Sequence, residues 1–472
     1  MNQVAETKPF INFSLILPKP IFVFFSYDGH GLPIAFRLQQ EGYKVYVGMV
    51  KELKEIKETE KEKEARLSLY DGLLEKIDAD KLLKALSFVK DKSRYFIVCD
   101  FSFLYEYGEE LKKLGFMGLL PSKQDWELEE ERELAQNLVE ERYRIFSPKE
   151  HYEFSKIDEV EKFLEGTDKV WVLKGNYAEA PTVVPVSNDP DIAKIEILDA
   201  LRVYQKEYER EGFSLQEKLT DILEFVPEAI SFDGIVRGIN IDLEIKNFAP
   251  GNFGYGGQTG CSVSTIFWLT KKEGEVIYDD FLKPLEKEML RKNELTIWDA
   301  GTIYDKKKKG FFFTEFCIRW GYDAVFDELA TLPSAGYYFE KILRGEDIYN
   351  PQECSRFGAS FRIFVVPEFG VPREKIKSEK IILLNGFDKD IWLWDVKKTS
   401  EGLETANFDA NVMVITGKGD TMEEALTNAF ENIKKVVFGG YHWQLENVLY
   451  EGWKNNLPER LKFLKEFFKL NF

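Results

Sequence analysis

The sequence predicts a multidomain fold of mixed α/β and α+β class. Three observations carry that expectation. The chain has 472 residues, too many for one simple core, so two to four domains are expected. Its opening reads strand, helix, strand, the βαβ unit of a nucleotide-binding half-domain. After Gly345 the pattern changes to short strands ahead of one strong helix, which marks a separate α+β unit.

Ile21-Phe22-Val23-Phe24-Phe25 is an unbroken apolar run of strand length. Asp28-Gly29-His30-Gly31 turns the chain. Pro33 suits a first helical turn, and Gly42 stops the helix expected over 34–41. A strand follows over 44–48. The glycines fall short of the dinucleotide fingerprint, so no nicotinamide cofactor is expected. Residues 51–64 are a charged run, read as a solvated helix or loop. Buried strands are expected over 95–99 and 115–120. Pro121-Ser122-Lys123 then opens an acidic helix over 125–141. The strand over 170–174 carries Lys174 at its tip. Helical spacing runs over 191–212, and strands over 213–219 and 230–236. Gly251, Gly254, Gly256, Gly257 and Gly260 crowd one stretch, a density that suits close backbone approach to a ligand or a plain hairpin loop. In the last third, strands are expected over 360–366, 380–384, 391–396 and 411–416. A helix then starts at Thr421, with Glu424 in the capping-box position and Lys434 and Lys435 near its end.

Composition excludes several classes. Apolar content of 44% and charged content of 31% describe a folded chain. A formal net charge of −18 argues against a nucleic-acid partner, which needs a basic face. Cys99, Cys261, Cys317 and Cys354 lie far apart and form no CxxC pair, so reduced thiols are expected, not a zinc ribbon or a disulfide framework. No apolar run reaches membrane-spanning length and no signal peptide is visible, so no membrane partner and a cytoplasmic location are expected. The three histidines are scattered. Neither HExxH, GxSxG nor a Walker A loop occurs, which excludes the usual zinc, serine and P-loop chemistries.

What remains is a set of charged residues at strand ends. Thr314-Glu315-Phe316-Cys317-Ile318-Arg319-Trp320-Gly321-Tyr322 follows a four-lysine turn and an aromatic strand. A carboxylate there, with an arginine four residues on, suits a site holding a metal–nucleotide and an anionic substrate. Lys174 can neutralise a phosphate. The strand edge Gln216-Glu217-Lys218-Leu219 offers backbone groups to adenine, with Glu217 as acceptor for its amino group. Glu315 and Asp299 supply the hard oxygen ligands that Mg²⁺ prefers.

In this order the segments resemble the ATP-grasp superfamily, and within it phosphoribosylamine–glycine ligase (glycinamide ribonucleotide synthetase) and its relatives. Pro121-Ser122-Lys123, Val172-Leu173-Lys174, Leu215 to Leu219, Glu228 ahead of Ser231-Phe232-Asp233-Gly234, Glu244-Ile245-Lys246, Gly256-Gly257-Gln258-Thr259-Gly260 and Glu315 to Gly321 each look like a family motif. Phe357-Gly358-Ala359-Ser360 and Gly417-Lys418-Gly419-Asp420-Thr421 resemble the C-terminal cap. The resemblance implies an N-terminal α/β domain (1–118), a two-part ATP-grasp core (119–349, with a small lid at about 140–213) and a C-terminal α+β cap domain (350–472). It implies ATP on Lys174, Glu217, Lys218, Leu219 and Glu228. Mg²⁺ or Mn²⁺ would sit on Glu315, with Asp299 standing in for the asparagine that Cys317 replaces, because a thiol is too soft for Mg²⁺. Arg319 and Lys246 would be catalytic, and Gly29, His30, Gly31, Gln258, Thr259 and Gly260 would meet substrate.

The implied reaction is ATP-dependent joining of a small-molecule carboxylate and an amine through an acylphosphate, as in purine biosynthesis, by a monomer or homodimer. Three departures stand out: the flap over 175–180 is short, Asp28 to Pro33 replaces the family's N-terminal phosphate loop, and Tyr322-Asp323 stands where Asp-Pro-Glu would follow. They admit two alternatives: a ligase for other substrates in a specialised or base-modifying pathway, or a degenerate ATP-grasp protein with a binding or assembly role.

Overall fold

The architecture comes from a computed structural model, described for residues 19–54, 56, 58–176, 182–247, 258–364, 378, 380–409, 411–438 and 457–472. The first five strands are β1 (Ile21–Ser26), β2 (Lys44–Met49), β3 (Lys76–Asp78), β4 (Tyr95–Cys99) and β5 (Met117–Leu119). All pair in parallel, in the order β3-β2-β1-β4-β5. β1 is buried along its whole length, as its unbroken apolar run requires. The charged run after β2 leads into helix Glu60–Ser68 through a Thr59–Glu62 capping box. Its Arg66 is fully buried. The guanidinium pairs with Glu58 and donates to the carbonyls of Tyr27 (3.0 Å) and Val50 (2.8 Å), while Lys51 and Lys54 of the run pair with Asp78 and Glu106 at the surface.

The acidic helix expected over 125–141 is two helices, Lys123–Glu130 and Arg132–Arg142. Glu131, at ψ 91°, breaks them. A three-stranded antiparallel sheet follows, with β6 (His151–Phe154), β7 (Trp171–Gly175) and β8 (Phe213–Glu217) in the order β6-β8-β7. The helical stretch over 191–212 divides at Tyr204 into Pro190–Val203 and Gln205–Glu211. This unit has its own core, including Trp171, Leu173, Leu201, Tyr208 and Phe213.

The large sheet adds β9 (Ile222–Phe232), β10 (Ile235–Asp242), β11 (Ile245–Asn247), β12 (Gln258–Trp268), β13 (Glu294–Asp305) and β14 (Gly310–Cys317). The single strand expected over 230–236 is a hairpin instead. Asp233 (φ 53°) and Gly234 (φ 78°) turn β9 into β10, and a positive φ at both turn residues suits a tight hairpin. The remaining strands are β15 (Phe357–Phe364), β16 (Lys380–Leu383), β17 (Ile391–Leu393), β18 (Val396–Thr399), β19 (Gly402–Thr405), β20 (Asn411–Gly419) and β21 (Val436–Phe438). The stretch expected as one strand over 391–396 splits between sheets: β17 joins the large one, while β18 joins a four-stranded sheet in the order β18-β19-β16-β21.

One 14-stranded sheet spans the molecule, in the order β17-β20-β15-β12-β10-β9-β13-β5-β4-β1-β2-β3, with β11 on β12 and β14 on β13. It crosses the boundary expected at 118 through β13 and β5, and that at 349 through β12 and β15. Thr421 caps helix Met422–Ile433 by accepting from the Glu424 amide at 3.2 Å. Among the described residues no helix is long and apolar enough to cross a membrane. The short flap beyond Asn176 and most of the glycine-rich stretch lie outside the described residues.

Candidate active site

Between the three-stranded sheet and the large sheet lies a cleft of about 1060 Å³. Lys174 on β7 and Glu217, Lys218 and Leu219 at the end of β8 line one wall. Asp299 on β13, Glu315 on β14 and Arg319 just beyond it line the other. Residues some 140 positions apart thus meet, because β7 and β8 form the small sheet while β13 and β14 pair in the large one.

The Glu217–Leu219 stretch, the hinge edge between β8 and β9 (Ile222–Phe232), is already partly engaged. The amides of Glu217 and Lys218 donate to the carbonyls of Glu150 (3.0 Å) and Val170 (2.8 Å). Glu217 pairs with Lys308 of the four-lysine turn at 2.7 Å. Lys218 donates to the carbonyls of Pro185 (2.5 Å) and Ser187 (3.3 Å), and burial lowers its pKa.

Asp299 lies opposite Cys317 across β13 and β14, and its Oδ1 accepts from the Cys317 amide at 2.9 Å. Burial drives its carboxyl well above the usual range, and Glu228 and Glu244 add to that, against Arg319. A bound cation would reverse that shift. Glu315, exposed toward the cleft, adds a second carboxylate of the hard-oxygen kind that Mg²⁺ or Mn²⁺ takes. The Cys317 thiol is held protonated by burial and is no ligand for such an ion. Among the described residues no three His, Cys, Asp or Glu side chains form a ready metal cage. Two carboxylates are the kind of protein contribution with which an ion such as Mg²⁺ fills its shell by phosphate and water.

Arg319 is enclosed. Its Nε lies 2.8 Å from a Glu129 carboxylate oxygen, and a terminal nitrogen donates to the Trp320 carbonyl at 3.1 Å. Phe101 (4.5 Å) and Tyr322 (4.9 Å) cover its faces. Glu129 and Glu130 come from helix Lys123–Glu130, and burial with the neighbouring Glu129 charge pushes Glu130 up to about 7.

Glu228 does not reach the cleft. It is buried on β9, where Asn240 donates to it at 2.7 Å and to Glu328 at 2.8 Å. Gly29, His30 and Gly31 also lie off the cleft wall. The Gly31 amide donates to Asp100 at 2.6 Å, and His30 is fully buried against Tyr322 (4.2 Å) and Trp394 (5.1 Å). The Tyr322 ring packs on His30 and also lines the cleft. Lys246 belongs to β11, and Gln258, Thr259 and Gly260 open β12. Their side chains lie outside what is described.

Several cleft residues escaped the sequence reading: Arg132, Lys149, Glu224, Arg362 and Arg460; Glu244 and Asp323, which it named only within longer segments, also line the cleft. Burial lowers Lys149 to about 8, against the pull of Glu224 and Glu315. Arg362 meets both oxygens of Asp323 at 2.7 Å. An arginine inside the apolar run Phe361-Arg362-Ile363 was a visible signal. Arg460 carries no such mark.

Two sheets closing on a charged cleft in this connectivity make the ATP-grasp fold. The chain resembles phosphoribosylamine–glycine ligase from Thermotoga maritima with a TM-score of 0.61 at 18% identity, covering 89% of this chain and 97% of that one. Biotin carboxylase from Campylobacter jejuni gives 0.60 at 10% identity, over 93% and 96% of the two chains. L-amino acid ligase from Bacillus licheniformis gives 0.52 at 13% identity, over 90% and 100%. At these identities the likeness is one of fold. No family model matches the sequence, and no curated protein is similar to it.

Proposed function

We propose that this protein is an ATP-dependent carboxylate–amine ligase. The observation that carries the reading is the cleft itself, with Lys174 and the Glu217–Leu219 edge on one wall and Asp299, Glu315 and Arg319 on the other. The structural neighbours support it, since they include a phosphoribosylamine–glycine ligase, an L-amino acid ligase and a biotin carboxylase described as an ATP complex.

In this reading the adenine lies along the hinge edge, and Lys174 and Lys149 face the phosphates. Mg²⁺ on Glu315 and Asp299 would neutralise charge on the phosphoryl group in transfer. The substrate carboxylate attacks the terminal phosphorus, ADP leaves, and an acylphosphate forms. The amine then attacks the acyl carbon, the C–O bond to phosphate breaks, and the amine gives up a proton as the amide forms. The chain needs no nucleophile of its own. Its side chains hold charge and position the reactants. Nearest to hand is the phosphoribosylamine–glycine pair, given the Thermotoga maritima neighbour.

A second reading, a protein that binds nucleotide without joining an acid to an amine, is favoured by one observation: Arg319 is already paired with Glu129 and clamped between two rings. Incubation with Mg²⁺-ATP, glycine and fresh phosphoribosylamine separates the readings. Glycinamide ribonucleotide and ADP support ligation of that pair. Phosphate release only with a metabolite extract keeps the ligase and discards the pair. ATP binding without turnover in either favours the second reading.

A further inference from the structure

The C-terminal helix, Leu457–Phe467, brings a guanidinium to the cleft wall from the far end of the chain. Rings hold the helix in place. Phe463 stacks on Tyr304 at 4.4 Å, and Phe467 and Phe468 pack against Phe311 at 5.2 and 6.2 Å. Glu459 pairs with Lys306 at 2.9 Å and ties the first turn to the four-lysine turn. The next residue, Arg460, is only 4% exposed. One of its terminal nitrogens donates to the carbonyls of Glu224 (3.1 Å) and Glu244 (3.0 Å), and its Nε has no partner among the described residues.

A buried guanidinium is costly, and burial lowers the Arg460 pKa despite Glu224, Asp242 and Glu244 nearby. Packing alone would be served by an apolar side chain, since the rings already close the helix–sheet joint. A planar fork with donors to spare, set in a cleft wall, suits a phosphate group. Arg460, Lys149 and Glu224 line the same cleft, and the Glu224 carboxylate acts on both cations. Ile222, Glu224 and Val226 of β9 line it too, and β9 follows in sequence the Glu217–Leu219 edge where a nucleotide base would lie.

We propose that Arg460 is a phosphate-binding residue of the cleft, supplied by the C-terminal helix to grip the polyphosphate of the bound nucleotide. The proposal rests on the reading of the cleft as a nucleotide site. Calorimetric titration of the full chain with Mg²⁺-ATP and with adenosine tests it. Arg460→Met is expected to weaken Mg²⁺-ATP about tenfold and leave adenosine unchanged. Arg460→Lys, which keeps the charge and loses the fork, is expected to fall between. Equal losses for both ligands, or no loss for either, would make Arg460 a structural counter-ion and overturn the proposal. If Arg460→Met fails to fold, Arg460→Lys decides: selective loss of Mg²⁺-ATP supports, unchanged binding overturns. A wild-type protein that binds neither ligand removes the nucleotide reading and this one with it. Wild-type binding with an indifferent Arg460→Met removes this one alone.

Discussion

Arg319 owes its state to Glu129. A guanidinium clamped between Phe101 and Tyr322 cannot swing far, so whatever shares its charge decides its availability to a substrate. In Glu129→Gln that partner becomes neutral. If the cleft ligates an acid, the KM for that acid is expected to fall about fivefold, the worth of about 1 kcal/mol of charge-assisted bonding, with Mg²⁺-ATP affinity unchanged. An unaltered KM would put the pair among structural contacts. Lys149 gives a second residue-scale prediction. With its pKa lowered to about 8, it is mostly neutral at pH 9 in the empty cleft. A nearby polyphosphate favours the charged form. Mg²⁺-ATP binding at pH 9 is therefore expected to take up a proton, read by calorimetry in buffers of different ionisation heat. Lys149→Met should abolish the uptake; uptake that persists in this variant would assign it elsewhere.

At the scale of elements, the joint between β5 and β13 is where the N-terminal sheet becomes the large one. Gly118 pairs with Glu294 there, at φ 147°, and a Cβ on it would come within 1.8 Å of the Ile97 carbonyl oxygen. Neither the backbone angle nor the gap admits a side chain. Gly118→Ala is expected to cost about 3 kcal/mol, because β4 must shift to make room. Denaturant unfolding checks this, and a loss under about 1 kcal/mol would mean the joint is slack. Such joints are invisible in a sequence, although the strands beside them are plain. β1 and β4 stood out as apolar runs, and the capped helix after Thr421 as a capping box. The breaks at Glu131 and Tyr204 did not, since neither residue is a helix breaker by type and packing overrides weak propensity. The β9–β10 hairpin was legible in Asp233-Gly234 as a turn pair, and the apolar residues on both sides masked it. The same division holds at the cleft. Lys174, Glu217 and Glu315 sit at ends of local strands, so motif order finds them. Lys149, Arg362 and Arg460 reach the cleft through tertiary packing, and local pattern does not say where a lone cation on another element will dock.

For the whole molecule the decisive feature is a layer of buried acids between the large sheet and helix Ala324–Thr331. Glu228 and Glu328 share the Asn240 amide, Asp242 takes the Ser264 hydroxyl at 2.9 Å, and Asp327 is fully buried near Asp242 and Asp323. Asp323 already holds Arg362, and Arg460, near Asp242, donates to the carbonyls of Glu224 and Glu244. Burial, the first cause in each case, raises Glu228, Asp242, Asp327 and Glu328 above the ordinary carboxylate range, and it brings Asp395 and Glu130 up to about 7. The sign follows directly. These groups bind protons more tightly folded than unfolded, so their contribution is fully present below the unfolded value of about 4. It is lost as pH rises, through about 7 for Asp395 and Glu130, and in the same direction for the rest. Surface carboxylates lowered by lysine partners, such as Asp78 beside Lys51, act oppositely and set the acid limit. Thermal stability is therefore expected to peak on the acid side of neutrality and to fall from pH 5.5 to pH 8.5. Glu328→Gln keeps the shape and an amide in place of the proton-bearing carboxyl. It should flatten that fall and raise the melting temperature at pH 8.5 by about one degree, the worth of about 1 kcal/mol in a chain of this size. Calorimetric melts of both proteins at the two pH values decide it. Stability that instead rises with pH, alike in both, would mean these acids are ionised in the fold and hold a counter-ion between them.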